Sequence, residues 1–149
     1  MVKARAKAEL RGRALARTDG VEFARYIGPK YEVGAHTRLL FDKLNAVERG
    51  EIKRLMVFMP PRHGKSMATS ELFPSWFLGK NPKKQVVVAS DAASLAQSLG
   101  RKARNLFATP EFASLFPRVG LAPSSAVKAN GYFTQTLVFL PARRCCCPL

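Results

Sequence analysis

The spacing of apolar residues along the chain changes near residue 54. Residues 21–27 and 35–47 carry apolar side chains three and four positions apart, which predicts two amphipathic helices. In the second helix these side chains fall near one face: Leu39, Leu40, Leu44 and Val47. Residues 55–59 are instead uninterruptedly apolar, a pattern typical of a strand buried in a parallel sheet. A helical layer followed by the start of a sheet is therefore predicted.

A second strand and helix are predicted farther along the chain. The first strand leads through a short loop into a helix that begins near Lys65 and extends through Leu78, and Pro74 should kink or divide it. Three consecutive valines within residues 85–89 predict another buried strand, and residues 92–107 predict its helix. Strand, helix, strand and helix with short connections indicate an α/β fold, a parallel sheet with flanking helices.

The ends of the chain carry weaker patterns. Residues 1–20 are rich in Ala, Arg and Lys with few large apolar groups, which predicts a basic flexible arm. Beyond the second helix, Phe112, Leu115 and Phe116 predict one apolar turn, residues 122–125 a loop and residues 134–140 a further strand. The adjacent residues 145–147 are all cysteines, but zinc sites usually separate their ligand pairs, so no metal site is expected there.

Composition and charge bear on the partners of the protein. The chain of 149 residues suits a single domain, and its 47% hydrophobic and 23% charged residues are ordinary for a globular protein. Lys and Arg outnumber Asp and Glu by 25 to 10, and the net charge of +15 favours DNA, RNA or nucleotide phosphates as partners. A basic surface that only contacts solvent, with no anionic partner, would have the same charge.

No apolar run approaches the roughly 18 residues of a membrane span, so a cytoplasmic protein without a membrane partner is expected.

The most informative residues lie between the first predicted strand and its helix. They are Met59, Pro60, Pro61, Arg62, His63, Gly64, Lys65 and Ser66. The string is a Walker A loop with Met59 in place of its first glycine, and it predicts an ATP site in which backbone N–H groups at the start of a helix face the phosphates. An isolated Gly-Lys-Ser would be an ordinary surface turn, but the strand before it and the helix after it favour a P-loop NTPase-like fold.

Four side chains or positions in this loop have predicted roles. Gly64 lets the backbone approach a phosphate closely, and Lys65 reaches the β and γ phosphates of ATP. The hydroxyl of Ser66 joins the shell of a Mg²⁺ ion that bridges those phosphates. Arg62 adds positive charge at the γ phosphate. His63 could contact phosphate or sense pH, although a histidine that merely faces solvent is favoured over both roles.

The string Pro-Pro-Arg-His-Gly-Lys-Ser, after an apolar run that starts at Arg54, resembles the deviant Walker A loop of the large terminase subunits of tailed bacteriophages. Residues 26–50 resemble the helical segment before that loop, and residues 86–104 resemble the second strand and helix, with Asp91 where many relatives have an aromatic residue. The resemblance implies an ATPase that packages double-stranded DNA, with Lys65 and Arg62 as catalytic residues and Ser66 as the magnesium ligand. Implied partners are the portal and procapsid, the small terminase subunit and further copies of the chain.

Two parts of the terminase machinery have no counterpart in this sequence. No Asp or Glu follows Glu111, so the acidic residues of a Walker B strand and the carboxylate cluster of a nuclease domain are missing. We expect an arm at 1–20, an incomplete ATPase domain at 21–133 and an aberrant tail at 134–149 from a frameshifted or truncated prophage gene. Such a chain would bind ATP weakly and hydrolyse it poorly, so its status as an enzyme stays open.

Three other functions remain open at this point. A basic, non-enzymatic DNA-binding protein would account for the charge and the arm, although no recognition motif supports it. A small phosphotransferase with the same kind of loop fits the length of the chain but has no evident acceptor site. A non-functional prophage gene remnant would account for the unusual tail.

Overall fold

The computed structural model describes residues 2–29, 31–90, 92–121, 127–129, 132–134 and 138–141. This part of the protein is mostly helical. Its α-helices are α1 (Val2–Thr18), α2 (Gly20–Ile27), α3 (Ala35–Glu48), α4 (Phe73–Lys80), α5 (Ala93–Phe107) and α6 (Pro110–Leu115), and a π-helical segment, Met67–Leu72, runs directly into α4. The short strands are β1 (Val87–Ser90), β2 (Val119–Leu121), β3 (Val127–Ala129), β4 (Tyr132–Thr134) and β5 (Val138–Pro141).

The strands form two small and separate sheets. Strand β1 pairs in parallel with β5, with Val87 opposite Val138. Strands β2, β3 and β4 form an antiparallel meander in which Val119 lies opposite Ala129 and Val127 opposite Thr134. Strand β1 is partly exposed along its length, so the second predicted strand exists near its expected place but is not buried.

The predicted α/β fold class, a P-loop NTPase-like parallel sheet with flanking helices, is wrong for this protein. Its first strand is absent from the described structure: residues 54–59 alternate between exposed and half-buried positions, as an extended chain does, but belong to no strand. Met56 is 79% exposed and Phe58 is 85% exposed, whereas a strand inside a parallel sheet is covered on both faces. Helices therefore pack mainly on other helices, and the apolar run lies on their surface.

Most of the predicted helices are confirmed, with small shifts at their ends. Helix α3 buries Leu40, Phe41 and Leu44 but leaves Leu39, which was expected on the same face, 60% exposed. Helix α5 buries a stripe at the intervals expected for a helical face: Ala96, Leu99, Ala103 and Phe107. The apolar turn predicted after Pro110 is helix α6, and it begins with Thr109 as a cap that accepts a hydrogen bond from the amide of Phe112.

A polar contact fixes the start of α2 against α3. Asp19 caps α2 by accepting a hydrogen bond of 2.9 Å from the amide of Val21. The side chain of Asn45 donates to the same carboxylate at 3.0 Å and accepts from the amide of Gly20 at 3.1 Å. A side chain at Gly20 would collide with Phe41, because its Cβ would lie 2.9 Å from the ring. The small residue thus lets the two helices approach each other.

Aromatic side chains form the centre of the core. The rings of Phe107 and Phe112 meet edge to face with centroids 4.7 Å apart, and Phe23 contacts Phe112 in the same way at 6.3 Å. Trp76 is fully buried, and its indole N–H donates to the carbonyl of Ala16 at 3.1 Å. This bond ties α1 to α4, since burial of the indole would otherwise leave its polar N–H without a partner.

The second half of α1 belongs to the packed unit. Ala16 is fully buried, Arg17 donates to the carbonyl of Leu115 at 2.7 Å, and Arg13 donates to the hydroxyl of Tyr26 at 3.2 Å. The predicted basic arm is thus helical over Val2–Thr18 and contacts α2 and α6. Among the described residues, no helix is long and apolar enough to cross a membrane.

The predicted helix after the loop is confirmed, and it changes from π to α geometry directly before Pro74, where the sequence predicted a kink or a division. Residues 65–80 are helical throughout, and the segment Met67–Leu72 has the wider π geometry. At its end the amide of Phe73 donates to the carbonyl of Ala68, five residues back. Proline cannot donate a backbone bond, and its ring crowds the carbonyl four residues earlier, so widening the helix before Pro74 relieves the conflict. The Ser75 hydroxyl then donates to the Glu71 carbonyl at 2.8 Å.

Some expectations fall on parts of the chain that the structure does not describe. They concern Asp91, the predicted loop at residues 122–125, and most of the tail, including the cysteines at 145–147.

Candidate phosphate-binding loop

The Walker A residues form an exposed turn at the start of the helix spanning residues 65–80, here called the motif helix. Its first intrahelical hydrogen bond runs from the amide of Ala68 to the carbonyl of Gly64 at 2.9 Å. Gly64 is thus the residue that precedes the helix, and the amides of residues 65–67 donate to no backbone carbonyl of the described residues. Such free N–H groups at a helix start, together with the helix dipole, favour an anion.

The backbone of the loop turns sharply at two positions. Gly64 has a φ of +77°, and Arg62 has a φ of +66° and is the one non-glycine residue with positive φ in the described chain. A non-glycine residue in this region costs on the order of 1–3 kcal/mol and tends to occur at functional sites. Left-handed residues within a turn can aim successive N–H groups toward one concave side, an arrangement that binds anions.

The charged side chains of the loop are available to a ligand. Arg62, Lys65 and Ser66 are all exposed, and none has a side-chain hydrogen bond or ion pair with a described residue. Arg62 lies in the turn directly before the motif helix, and Lys65 and Ser66 are its first two residues. Both cations and the hydroxyl therefore belong to the same end of the motif helix. Met59, the other end of the predicted motif, instead packs half-buried against the core.

His63 contacts a residue that sequence reasoning missed. Its ring lies edge to face with that of His36, with centroids 5.7 Å apart, and its Nδ1 lies 2.9 Å from the carbonyl oxygen of Pro61. These are the two histidines of the chain, and they come from the first turn of α3 and from the loop. No motif spacing links them, so no signal in the sequence would have paired them. His63 is therefore exposed to solvent but also contacts His36 and the Pro61 carbonyl.

Two open cavities adjoin the loop. One of about 640 Å³ is lined by Tyr31, Glu32, His36 and Thr37 on one side and by Arg62, His63 and Gly64 on the other. Burial raises the pKa of the Tyr31 phenol, an effect that a hydrogen bond with Thr37 partly opposes, so the phenol stays neutral. A second cavity of about 370 Å³ lies beside Pro60 and Lys65. A ligand could therefore reach the loop from either side.

The described residues contain no group of three or more His, Cys, Asp or Glu side chains that could hold a metal ion. Ser66 offers a single exposed hydroxyl in the first turn of the motif helix. One hydroxyl cannot hold Mg²⁺ alone, but Mg²⁺ commonly retains waters and binds through substrate phosphates. The predicted role of Ser66 thus fits an ion that a nucleotide brings with it.

No protein-family model, curated protein or solved structure matches this chain.

Proposed function

We propose that residues 59–66, together with the backbone amide of Met67, bind the phosphates of ATP and that the chain is an ATP-binding part of a phage DNA-packaging motor of the large-terminase kind. The observation that carries the proposal is the left-handed Gly64 directly before the motif helix, with Lys65 and Ser66 exposed beside free backbone amides. This combination supports phosphate binding independently of the sheet that was wrongly expected.

Each group in the loop has a distinct part in binding. The amides of residues 65–67 donate to phosphate oxygens, and the positive end of the helix dipole adds to their attraction. The ammonium group of Lys65 neutralises phosphate charge, and Arg62 can add a second cation at the outermost phosphate. When ATP binds with Mg²⁺, the metal supplies charge neutralisation between phosphates, and the Ser66 hydroxyl is the protein ligand that fits it.

The proposal includes binding but little hydrolysis by this chain. Hydrolysis needs a group that orients the attacking water. No carboxylate lines the cavity beside Lys65, and Glu32 is the one carboxylate that lines the cavity beside Arg62 and Gly64. The resemblance to terminases is the sole support for double-stranded DNA, the portal and procapsid, the small terminase subunit and a homo-oligomer as partners. It is likewise the basis for proposing that the protein acts in the cytoplasm of a host bacterium.

The experiment that tests the proposal is titration of the full chain with a fluorescent ATP analogue and Mg²⁺. We expect Lys65→Ala to abolish measurable binding, whereas Lys7→Ala, which removes an exposed lysine of α1, should leave it unchanged. Ser66→Ala should weaken binding with Mg²⁺ more than binding without it. Equal affinities of the wild type and Lys65→Ala would show that the loop is not the site.

A second candidate is a basic DNA-binding protein without enzymatic activity. The observation that favours it is the net charge of +15 together with exposed cations on α1 and α5, including Lys7, Arg11, Arg101 and Arg104. Binding of this kind releases counterions and weakens steeply with salt. DNA affinity that falls with salt and is indifferent to Lys65→Ala would favour this candidate over the motor fragment.

A further inference from the structure

Residues 54–59, here called the extended segment, have an unusual surface. Their side chains alternate between exposed and half-buried positions, so that Leu55, Val57 and Met59 pack against the core while Met56 and Phe58 face outward. The backbone of this segment makes no hydrogen bond with the described residues. An alternation of two residues is that of an extended chain, and backbone groups without partners leave such a chain open to pairing.

An apolar groove runs beside the extended segment. It has a volume of about 500 Å³ and lies between residues 55–60 and one face of α3. Helix α3 contributes His36, Leu39, Leu40 and Lys43 to this groove. The exposure of Leu39, at 60%, is explained if another apolar side chain covers it. An added strand would run about 4.8 Å from the segment, which brings its side chains to the mouth of the groove.

The charges around the groove are positive and unpaired. Lys43 lines it, and Lys53 and Arg54 stand at the start of the extended segment. None of these three has an ion pair with a described residue, whereas the five ion pairs of the described chain lie elsewhere and involve Arg13, Arg25, Arg49, Lys80 and Lys102. No carboxylate lines the groove, and Lys43 is the one Lys or Arg among its lining residues. The nearest acidic residues along the chain are Asp42, beside Lys43, and Glu51, which pairs with Arg49. The surface is therefore complementary to an apolar segment that carries negative charge.

We propose that the extended segment and the α3 groove bind an extended peptide of a partner protein, one that alternates apolar and acidic residues, by strand addition. Main-chain hydrogen bonds to residues 55–59 supply the pairing, apolar side chains enter the groove, and carboxylates meet Lys43 and Arg54. Pro60 has no N–H and ends the edge. This site adjoins the phosphate-binding loop, since Pro60 and His63 also line the groove, but the proposal does not depend on nucleotide binding.

The test uses a labelled synthetic peptide of alternating valine and glutamate, measured by fluorescence anisotropy with the full chain. We expect saturable binding that weakens with added salt, because charge complementarity contributes to it. A peptide N-methylated at alternate amides lacks the N–H groups that would donate to the backbone carbonyls of residues 55–59. It should therefore bind about tenfold more weakly. A valine–lysine peptide should not bind.

Protein variants locate the site. Lys43→Glu should reduce peptide affinity about tenfold, while Arg101→Glu, the same charge change on an exposed residue of α5, should reduce it by less than about threefold. Met56→Pro removes a backbone donor from an exposed position and should also weaken binding. Circular dichroism confirms that each variant is folded.

Three results would overturn the proposal. They are equal binding of the N-methylated peptide, equal effects of Lys43→Glu and Arg101→Glu, or a dimer that forms through residues 54–59 and excludes the peptide. The last result would identify a second copy of the chain as the occupant. Loss of ATP binding with intact peptide binding would instead contradict the proposed function alone.

Discussion

The helical core and the stretch from residue 54 to residue 67 differ in burial and in backbone hydrogen bonding. In the core, Trp76, Phe23 and Phe112 are fully buried and the backbone is bonded within helices. Between residues 60 and 67 every side chain is exposed, and residues 54–59 have no backbone hydrogen bond with the rest of the described structure. The difference indicates that folding free energy comes from helix packing, while the groups able to bind ligands remain free on the surface.

The core should be the most sensitive part of the molecule. Trp76→Ala removes a fully buried ring and the hydrogen bond to Ala16, and it should lower the free energy of unfolding by about 3–5 kcal/mol. Urea denaturation measures this change. Phe58→Ala, which truncates an exposed aromatic residue, is the matched control and should change stability by less than about 0.5 kcal/mol. Similar losses for the two variants would contradict the division into core and surface.

The left-handed loop residue should affect binding more than folding. Gly64→Ala places a Cβ at a φ of +77°, a conformation that costs roughly 1–2 kcal/mol. We expect the free loop to relax, so that ATP binding has to restore the turn at that cost. We expect the affinity for the fluorescent ATP analogue to fall about 5- to 30-fold, in line with that cost. Gly12→Ala is the control, because this glycine lies within α1 with open space around it. It should stabilise the protein by about 0.5–1 kcal/mol and leave binding intact.

Unchanged ATP affinity in Gly64→Ala would show that the ligand does not depend on the left-handed turn. A large loss of thermal stability in the same variant would show that the loop contributes to folding stability as the core does. The proposed difference between loop and core would then be wrong.

A smaller effect is expected where the core reaches the surface between α3 and α4. Burial acts to raise the pKa of Glu48, but hydrogen bonds from Lys80 and Asn81 outweigh it and lower the pKa below its ordinary value. The Glu48 carboxylate therefore stabilises the fold at every pH above the ordinary carboxyl pKa. This stabilisation is lost as the pH falls through the lowered pKa of Glu48. Glu48→Gln should cost about 0.5–1 kcal/mol at pH 7 and nearly nothing at a pH well below 4.

Denaturation at the two pH values measures this difference. Glu51→Gln is a suitable comparison, because Glu51 pairs with Arg49 on the open surface and should have a smaller effect. A cost for Glu48→Gln that persists in acid would show that the contact with Lys80 acts through packing rather than charge.

The helices could be predicted from the sequence because each has a local apolar stripe that survives in the structure. The stripe of Leu40 and Leu44 and the proline at position 74 are examples, since both act within one or two turns. Residues 55–59 were predicted to form a strand and do not. An apolar run indicates a preference for burial, but it does not show whether neighbouring strands are present to pair with it. In the described structure no strand pairs with it.

The candidate site shows the same division. The spacing of Gly64, Lys65 and Ser66 located the turn before the motif helix, because a glycine followed by a helix start is a local feature. The contact between His36 and His63 depends on how α3 packs beside the loop, and no local pattern encodes it. Met59 packs half-buried against the core and also lines the cavity beside Lys65, so its place in the phosphate-binding loop stays a prediction.

Phosphate binding depends most directly on the free amides at the start of the motif helix. Amide hydrogen exchange of the full chain, measured with and without ATP and Mg²⁺, reports on them. We predict that ATP slows exchange at residues 62–68 in the wild type and not in Lys65→Ala, while the core helices exchange slowly in every sample. Exchange at residues 62–68 that ATP leaves unchanged, at concentrations that saturate any binding, would contradict the phosphate-binding loop.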